Sequence, residues 1–383
     1  MKKFKRPISI LCALLLLTAA LSACGAGSTS GTNATTTAAA GTTVKESSTA
    51  ATTVATVSQG DAKPIKVLYS ASLCGIPIHI AKQLQFLEAE GLVEGKDYEY
   101  VTSSLSGIEM LTTKQADISF GLIAAMLAPL DNGLEAKTVV GVHTGCILIL
   151  AGTKTGITSL TGLKGKKIGV EKLASSAHIV TQRALANESI GTTAEKMEVE
   201  FVTYNKEDLP VALREGAVDA IAIGDPQGTI LINEGVGVEL FNSATSDLLK
   251  DEYCCALWVR NEILEERSED VTKIVRAIQN ASAWVDQNEE LAAQIQLDNE
   301  WLVGDLKIDS QVIKNFKYLP SVSGVETALT RNILEMKDLG LIKKDTDAAQ
   351  LAKNSFIRLE GIPDTIEGTV EAPIDPKTQI KAK

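Results

Sequence analysis

Leu160-Thr161-Gly162-Leu163-Lys164-Gly165-Lys166-Lys167-Ile168-Gly169-Val170 reads as a turn, over Leu163–Lys166, into a short strand, Lys167–Val170, with a helix following from about Ser176 to Ala186. This stretch opens a second β/α unit, because one such unit already precedes it. Working backward, Ile65–Tyr69 is a strand, and Pro77 opens a helix whose apolar positions Ile80, Ala81, Leu84 and Leu87 share a face until Gly91. Tyr98–Thr102, Ala116–Phe120 and Lys137–Val142 are further strands. Helices lie over Gly107 to Lys114 and over Leu122–Leu130, and Cys146–Ala151 continues extended.

Working forward, Val199–Thr203, Val218–Ile223 and Val238–Phe241 are strands. Helices over Leu209–Glu215 and from Asp225-Pro226 to about Asn233 lie between them. Tyr253–Val259 is extended and takes the chain back to the first unit. Beyond Asn261 the pattern is helical, with candidates at Val271–Asn288, Glu290–Asp298, Ser310–Phe316, Gly324–Leu339 and Asp345–Phe356. Short β-branched runs alternating with helices indicate an α/β fold with mostly parallel sheets. A chain that leaves one lobe and returns by a second crossing encloses a cleft, where small molecules bind at the C-terminal ends of strands.

The remaining sequence sets the address. Lys2, Lys3, Lys5 and Arg6 precede an apolar segment from about Ile8 to Leu21 that ends in Leu21-Ser22-Ala23-Cys24. That segment is too short to span a bilayer comfortably and reads as a signal peptide. Residues 24–62, mostly Ser, Thr, Ala and Gly, cannot bury enough surface to offset their ordering entropy and are expected to form a flexible tether. The expected organisation is residues 1–23 as leader, 24–62 as tether, 63–145 with 255–361 as the first lobe, 146–254 as the second, and 362–383 as a disordered tail. The formal charge of −11 argues against nucleic acid as a partner, since phosphate binding needs a basic face. Once Cys12 and Cys24 are set aside, Cys74, Cys146, Cys254 and Cys255 are too few and too irregularly spaced for a disulfide framework. One bridge remains open, with connectivity unreadable.

Cys24 directly after Leu-Ser-Ala resembles the lipobox of bacterial lipoproteins, which implies lipidation of Cys24. The body resembles the periplasmic-binding-protein-like receptors of nitrate, sulfonate, taurine and thiamine-precursor ABC transporters. The resemblance rests on Pro77, His79-Ile80-Ala81-Lys82, Phe86 and Glu90-Gly91-Leu92, on Gln115 through Gly121, and on Leu160 through Val170. It continues through Ala212-Leu213, Gly216, Val218-Asp219-Ala220 and Asp225-Pro226. Gln85 stands where that pattern has glycine. The resemblance implies a two-lobed periplasmic-binding-protein-like (type II) fold with two interlobe crossings and a helical C-terminal part. It also implies a monomeric, membrane-anchored, extracytoplasmic solute receptor serving an ABC permease and ATPase, with no enzyme activity and no cofactor.

Ligand contacts are expected from loops leaving strands: Ser72 and Cys74, Ser103 and Ser104, Ser119, His143 and Thr144, Ser175, Ser176 and His178, and Asp225. Ser- and Gly-rich loops that open helices offer free N–H groups and hydroxyls to an oxyanion, although each serine alone is more readily a helix cap. His79, His143 and His178, the three histidines of the chain, all fall in or beside these loops. They raise the idea of imidazole-held metal, yet no two share an i, i+4 face, and no metal site is assigned. One of Cys254-Cys255 should face the cleft and its neighbour the other side, because strand neighbours alternate. Scarce aromatics favour a small polar or anionic solute of the nitrate, sulfonate or bicarbonate type. A pyrimidine thiamine precursor, a metal-containing ligand and an anchored enzyme of the same fold are the alternatives.

Overall fold

The computed structural model describes residues 63–381. The expected leader and tether, and Cys24, lie outside the described residues. The chain opens with β1 (Ile65–Leu68), α1 (Ile76–Gln83), α2 (Phe86–Ala89), β2 (Tyr98–Val101), α3 (Gly107–Thr112), β3 (Ile118–Leu122), α4 (Ile123–Asp131) and β4 (Ala136–Thr144). The second lobe holds β5 (Ile147–Gly152), β6 (Lys167–Val170), α5 (Ser176–Asn187), β7 (Thr192–Thr193), β8 (Lys196–Met197), β9 (Glu200–Thr203), α6 (Leu209–Glu215), β10 (Ala220–Gly224), α7 (Gln227–Asn233) and β11 (Gly237–Asn242). Strand β12 (Tyr253–Arg260) returns to the first lobe. Helices α8 (Asn261–Glu266), α9 (Ser268–Gln287), α10 (Glu289–Asp298), α11 (Leu306–Phe316), α12 (Val322–Asp338) and α13 (Ala348–Ser355) follow.

Two five-stranded sheets result, ordered β2-β1-β3-β12-β4 and β11-β5-β10-β6-β9. In each, one strand opposes the other four: β12 is antiparallel to β3 and β4, and β5 to β10 and β11. Those two strands are the ones that enter from the other lobe, so the antiparallel element of each sheet is the crossing itself. The fold is therefore α/β and two-lobed, with two crossings.

Burial follows the periodicity of the sequence. Strand β5 is apolar throughout, β4 carries Lys137, Thr138, His143 and Thr144 among its apolar residues, and both are buried on both faces, as expected of strands covered by helices on each side. Helix α9 buries Val271, Ile274, Val275, Ile278, Ala281 and Val285, a stripe at three- and four-residue spacing. Each valine and isoleucine of that stripe is worth about 1.5–3 kcal/mol when removed from water. Side-chain caps set helix starts: Ser175 accepts from the His178 N–H, Ser321 from Gly324 and Asp305 from Ile308.

The tail expected to be disordered is instead tied to the first lobe. Val322 N–H donates to the Asp364 carbonyl, and Gln287 Nε2 donates to the Gly368 carbonyl while its Oε1 accepts from Val370 N–H. Asn299 Nδ2 reaches the Gln379 carbonyl, and Lys381 N–H reaches Asp298. Val370, Ala372, Ile374 and Ile380 rest on the core. Proline and lysine in the sequence masked this alternation of small apolar anchors.

Candidate ligand site between the lobes

The first crossing is only Gly145-Cys146, and the second spans Ser243 to Glu252. They run against each other. A Cβ on Gly145 would lie 2.2 Å from the backbone of Ala244, so the absence of a side chain permits the approach. Ser243 Oγ accepts from the N–H groups of both Cys146 and Ile147, 2.9 Å each. One hydroxyl thus satisfies two amides that leave the first sheet and enter the second.

The four cysteines of the body meet at these crossings. The sulfurs of Cys74, Cys146 and Cys255 lie within 4.8 Å of one another, and Cys254 Sγ is 3.7 Å from Cys146 Sγ. None is bonded in a disulfide. The expected alternation of Cys254 and Cys255 fails here. Along β12, Tyr253 pairs with Thr144 and Cys255 with His143, so Cys254 is the extra residue of a β-bulge. Both thiols therefore join one cluster. Burial pushes the Cys255 thiol up. Burial also acts to raise Cys254, but hydrogen bonds from Cys146 and Cys255 bring it down to about 7.

The histidines do not meet. His143 alone reaches the crossings, fully buried, its ring stacked on Phe316 at 5.0 Å. Its Nδ1 is 2.6 Å from the Thr144 carbonyl and 3.5 Å from Cys254 Sγ. The short contact to a carbonyl requires the proton on Nδ1. Nε2 is buried with no partner among the described residues. His79 is held inside the first lobe by Tyr69 Oη at 2.6 Å and stacks on Trp301. His178 packs against Phe201 in the second lobe and accepts from Ala174 N–H. Burial lowers His79 to about 3, helped by Lys82, and lowers His178 to about 4, so both are neutral at physiological pH.

Most of the remaining expected residues serve local structure. Ser72 accepts from Gly75 N–H, Ser103 from Leu105 N–H, and Ser175 caps α5. Ser104 is exposed, and Ser176, half-buried, begins α5. The cap of α3 is Ser106, in a reciprocal capping box with Glu109. Ser119 is buried beneath α3, where Gly107 leaves it room. Thr144 Oγ1 donates to the Phe316 carbonyl. Cys74, His143 and Asp225 are the expected residues that the fold brings to the crossings.

Asp225 closes the second-lobe side. Its N–H donates to the Cys146 carbonyl, and its carboxylate accepts from Thr229 N–H. Burial pushes its carboxyl from 3.8 up to about 6, against the Thr229 hydrogen bond, and Cys74 adds to the rise. Because the folded pKa lies above the unfolded one, the contribution of this group is fully present below pH 3.8 and lost as pH rises through about 6. At about 1.4 kcal/mol per unit, the ionised form costs up to about 3 kcal/mol at neutral pH. Asp225→Asn keeps an acceptor for Thr229 and is expected to raise the melting temperature at pH 7.5 but not at pH 3.5. An equal difference at both pH values would show that the effect is not ionisation.

Sequence reasoning missed the polar lock beside the thiols. Arg183 of α5, 3 % exposed, donates from Nη1 and Nη2 to the carboxylate of Glu252, at 2.7 and 2.9 Å. It also donates to Asn332 and Glu335 of α12. Arg331 joins the same two carboxylates. The network ties the second lobe to the first and leaves no free charge on Arg183. A cavity of about 20 Å³ adjoins it, lined by Leu122, Ile123, Gly145, Arg183, Glu252 and Cys254 among others. It has room for about one water.

A model of the NMT1-like family matches residues 58–297, covering the first lobe through α9 and the whole second lobe. The chain belongs to the NMT1-like family. A Bacillus subtilis protein named for binding aliphatic sulfonates is 24% identical over 313 residues, 79% of this chain and 91% of that protein. Among solved structures, the alkanesulfonate-binding protein of Xanthomonas axonopodis pv. citri, bound to MOPS, aligns with a TM-score of 0.62 at 19% identity. The alignment covers 76% of this NMT1-like chain and 99% of that one. The periplasmic nitrate-binding protein of Synechocystis aligns at 0.63 and 14% identity, over 77% and 86% of the two chains. These likenesses place the NMT1-like chain in the periplasmic binding protein fold.

Proposed function

We propose that this protein is the solute-binding receptor of an ABC importer, a binding protein without catalysis. It would be exported, anchored outside the bacterial membrane by lipid on Cys24, and would deliver a small polar or anionic solute to a permease and ATPase. The observation that carries the reading is the pair of adjoining crossings between two separately hydrogen-bonded sheets, with loops of both lobes meeting there. A solute bridging the lobes would stabilise their closed arrangement by its differential affinity for it. The relatives named for sulfonate and nitrate support the small-anion preference.

Arg183 is already shared by two carboxylates, so an anion would depend on backbone N–H groups and hydroxyls rather than on a free cation. Thermal-shift and calorimetric titrations with nitrate, bicarbonate, alkyl sulfonates, taurine and pyrimidines test this. At 100 times Kd, a bound solute adds about 2.7 kcal/mol, a rise of several degrees. Stabilisation by pyrimidines alone would displace the anion reading, and stabilisation by none of them would remove it.

A further inference from the structure

Four thiols from three separate stretches of chain converge on one point, in a body that has only those four. Cys146 and Cys255 each contact the other three sulfurs. The bulge at Cys254 turns two neighbouring thiols to one side, where regular pairing would have separated them. We propose that Cys74, Cys146, Cys254 and Cys255 bind one thiophilic divalent cation of the Zn2+ class, joining a loop of the first lobe to the first interlobe crossing and to the start of β12, where the second crossing ends.

Cys74, Cys146 and Cys255 form one group of donors within 4.8 Å of one another, and His143, Cys254 and Cys255 form a second that shares Cys255, so the ion would draw the two together. Four sulfurs at about 2.3 Å from zinc, in a tetrahedron, are about 3.8 Å apart. The Cys146–Cys254 separation is 3.7 Å, and the Cys74, Cys146 and Cys255 sulfurs need to close from within 4.8 Å. Cys146 and Cys255 are buried and Cys74 and Cys254 are only half-buried, which gives an ion a dry seat. His143 stands beside the ligands and is not one of them. Its Nδ1 proton is held by the Thr144 carbonyl, from where the ring leans on Cys254, and an N–H beside a thiolate offsets part of its charge. Binding exchanges four S–H bonds for four metal–sulfur bonds, releases four protons to solvent and moves no electrons. The same sulfurs could instead be oxidised in pairs, which would exclude the ion. The metal proposal does not depend on the importer reading, because solute titrations can be run with a chelator present.

The test uses the full-length chain, purified anaerobically with reductant. Unfolded, its body thiols should all react with a thiol reagent. Cobalt(II) should then produce an intense sulfur-to-metal charge-transfer band that saturates at one equivalent and is abolished by one equivalent of Zn2+. Cys255→Ser and Cys146→Ser should each weaken Zn2+ binding at least about 100-fold. Cys74→Ser, at a half-buried position, provides a ligand variant if the buried ones fail to fold, and should lower the charge-transfer intensity. No band with all thiols reduced, an unchanged band in Cys74→Ser, or thiols recovered only as disulfides would each overturn the assignment.

Discussion

The variant Arg183→Met is expected to lose about 3–5 kcal/mol of unfolding free energy, the range for breaking a buried ion pair by removing one partner. The loss comes from what is left behind. Among the described residues, Glu252 retains only Arg331 and Asn332, and Glu335 only Arg331. Neutralising those carboxylates as well, in Arg183→Met/Glu252→Gln/Glu335→Gln, should recover much of the loss. If the triple variant is no more stable than the single one, packing and not stranded charge is responsible. The pH dependence provides a second readout. Burial acts to raise the Glu335 carboxyl, but Arg183 and Arg331 together hold it below its usual 4.5. Its folded pKa is depressed, so its stabilisation is present above 4.5 and fades as pH falls through the folded value. Urea unfolding from pH 7 to pH 3.5 should show a steeper acid loss in the natural protein than in Arg183→Met.

Gly145→Ala is expected to cost about 3 kcal/mol or more, at or beyond the upper end of overpacking effects. The added Cβ meets backbone atoms of Ala244 at 2.2 Å and Ser243 at 2.5 Å, and backbone on the neighbouring crossing cannot rotate away as a side chain can. Relief requires the crossings to part, which would also pull Ser243 from the two amides it satisfies. Differential scanning calorimetry against Gly224→Ala, where the nearest atom lies at 3.6 Å, separates this clash from a general glycine effect. Comparable melting temperatures for the two variants would refute the close-approach account.

The lobed plan was readable because β-branched runs and helical stripes are local signals. Ile65–Leu68, Lys167–Val170 and Tyr253–Arg260 fall within a residue of their expected spans. The short hairpin of β7 and β8 carries no such signal, since two residues per strand are too few for a period. The site was less legible. A serine before a helix looks the same whether it caps or binds, and Ser72, Ser103 and Ser175 cap or close turns. Proximity of His79 and His178 to strand ends said nothing about which way their rings point. Alternation separated Cys254 from Cys255, and only pairing with β4 reveals the bulge. Arg183 was beyond reach in principle, because its partners lie 69 and 152 residues away.

The position of β12 also fixes an order in time. Every strand of the second sheet lies between residues 147 and 242, so that sheet has all its parts before the chain is fully delivered. The first sheet does not. Strand β4 joins it only through β12, which comes more than a hundred residues later. A chain threading outward from its N-terminus therefore carries β4 without a sheet partner until residue 253 emerges. The lobe nearest the N-terminus is the last to be completed.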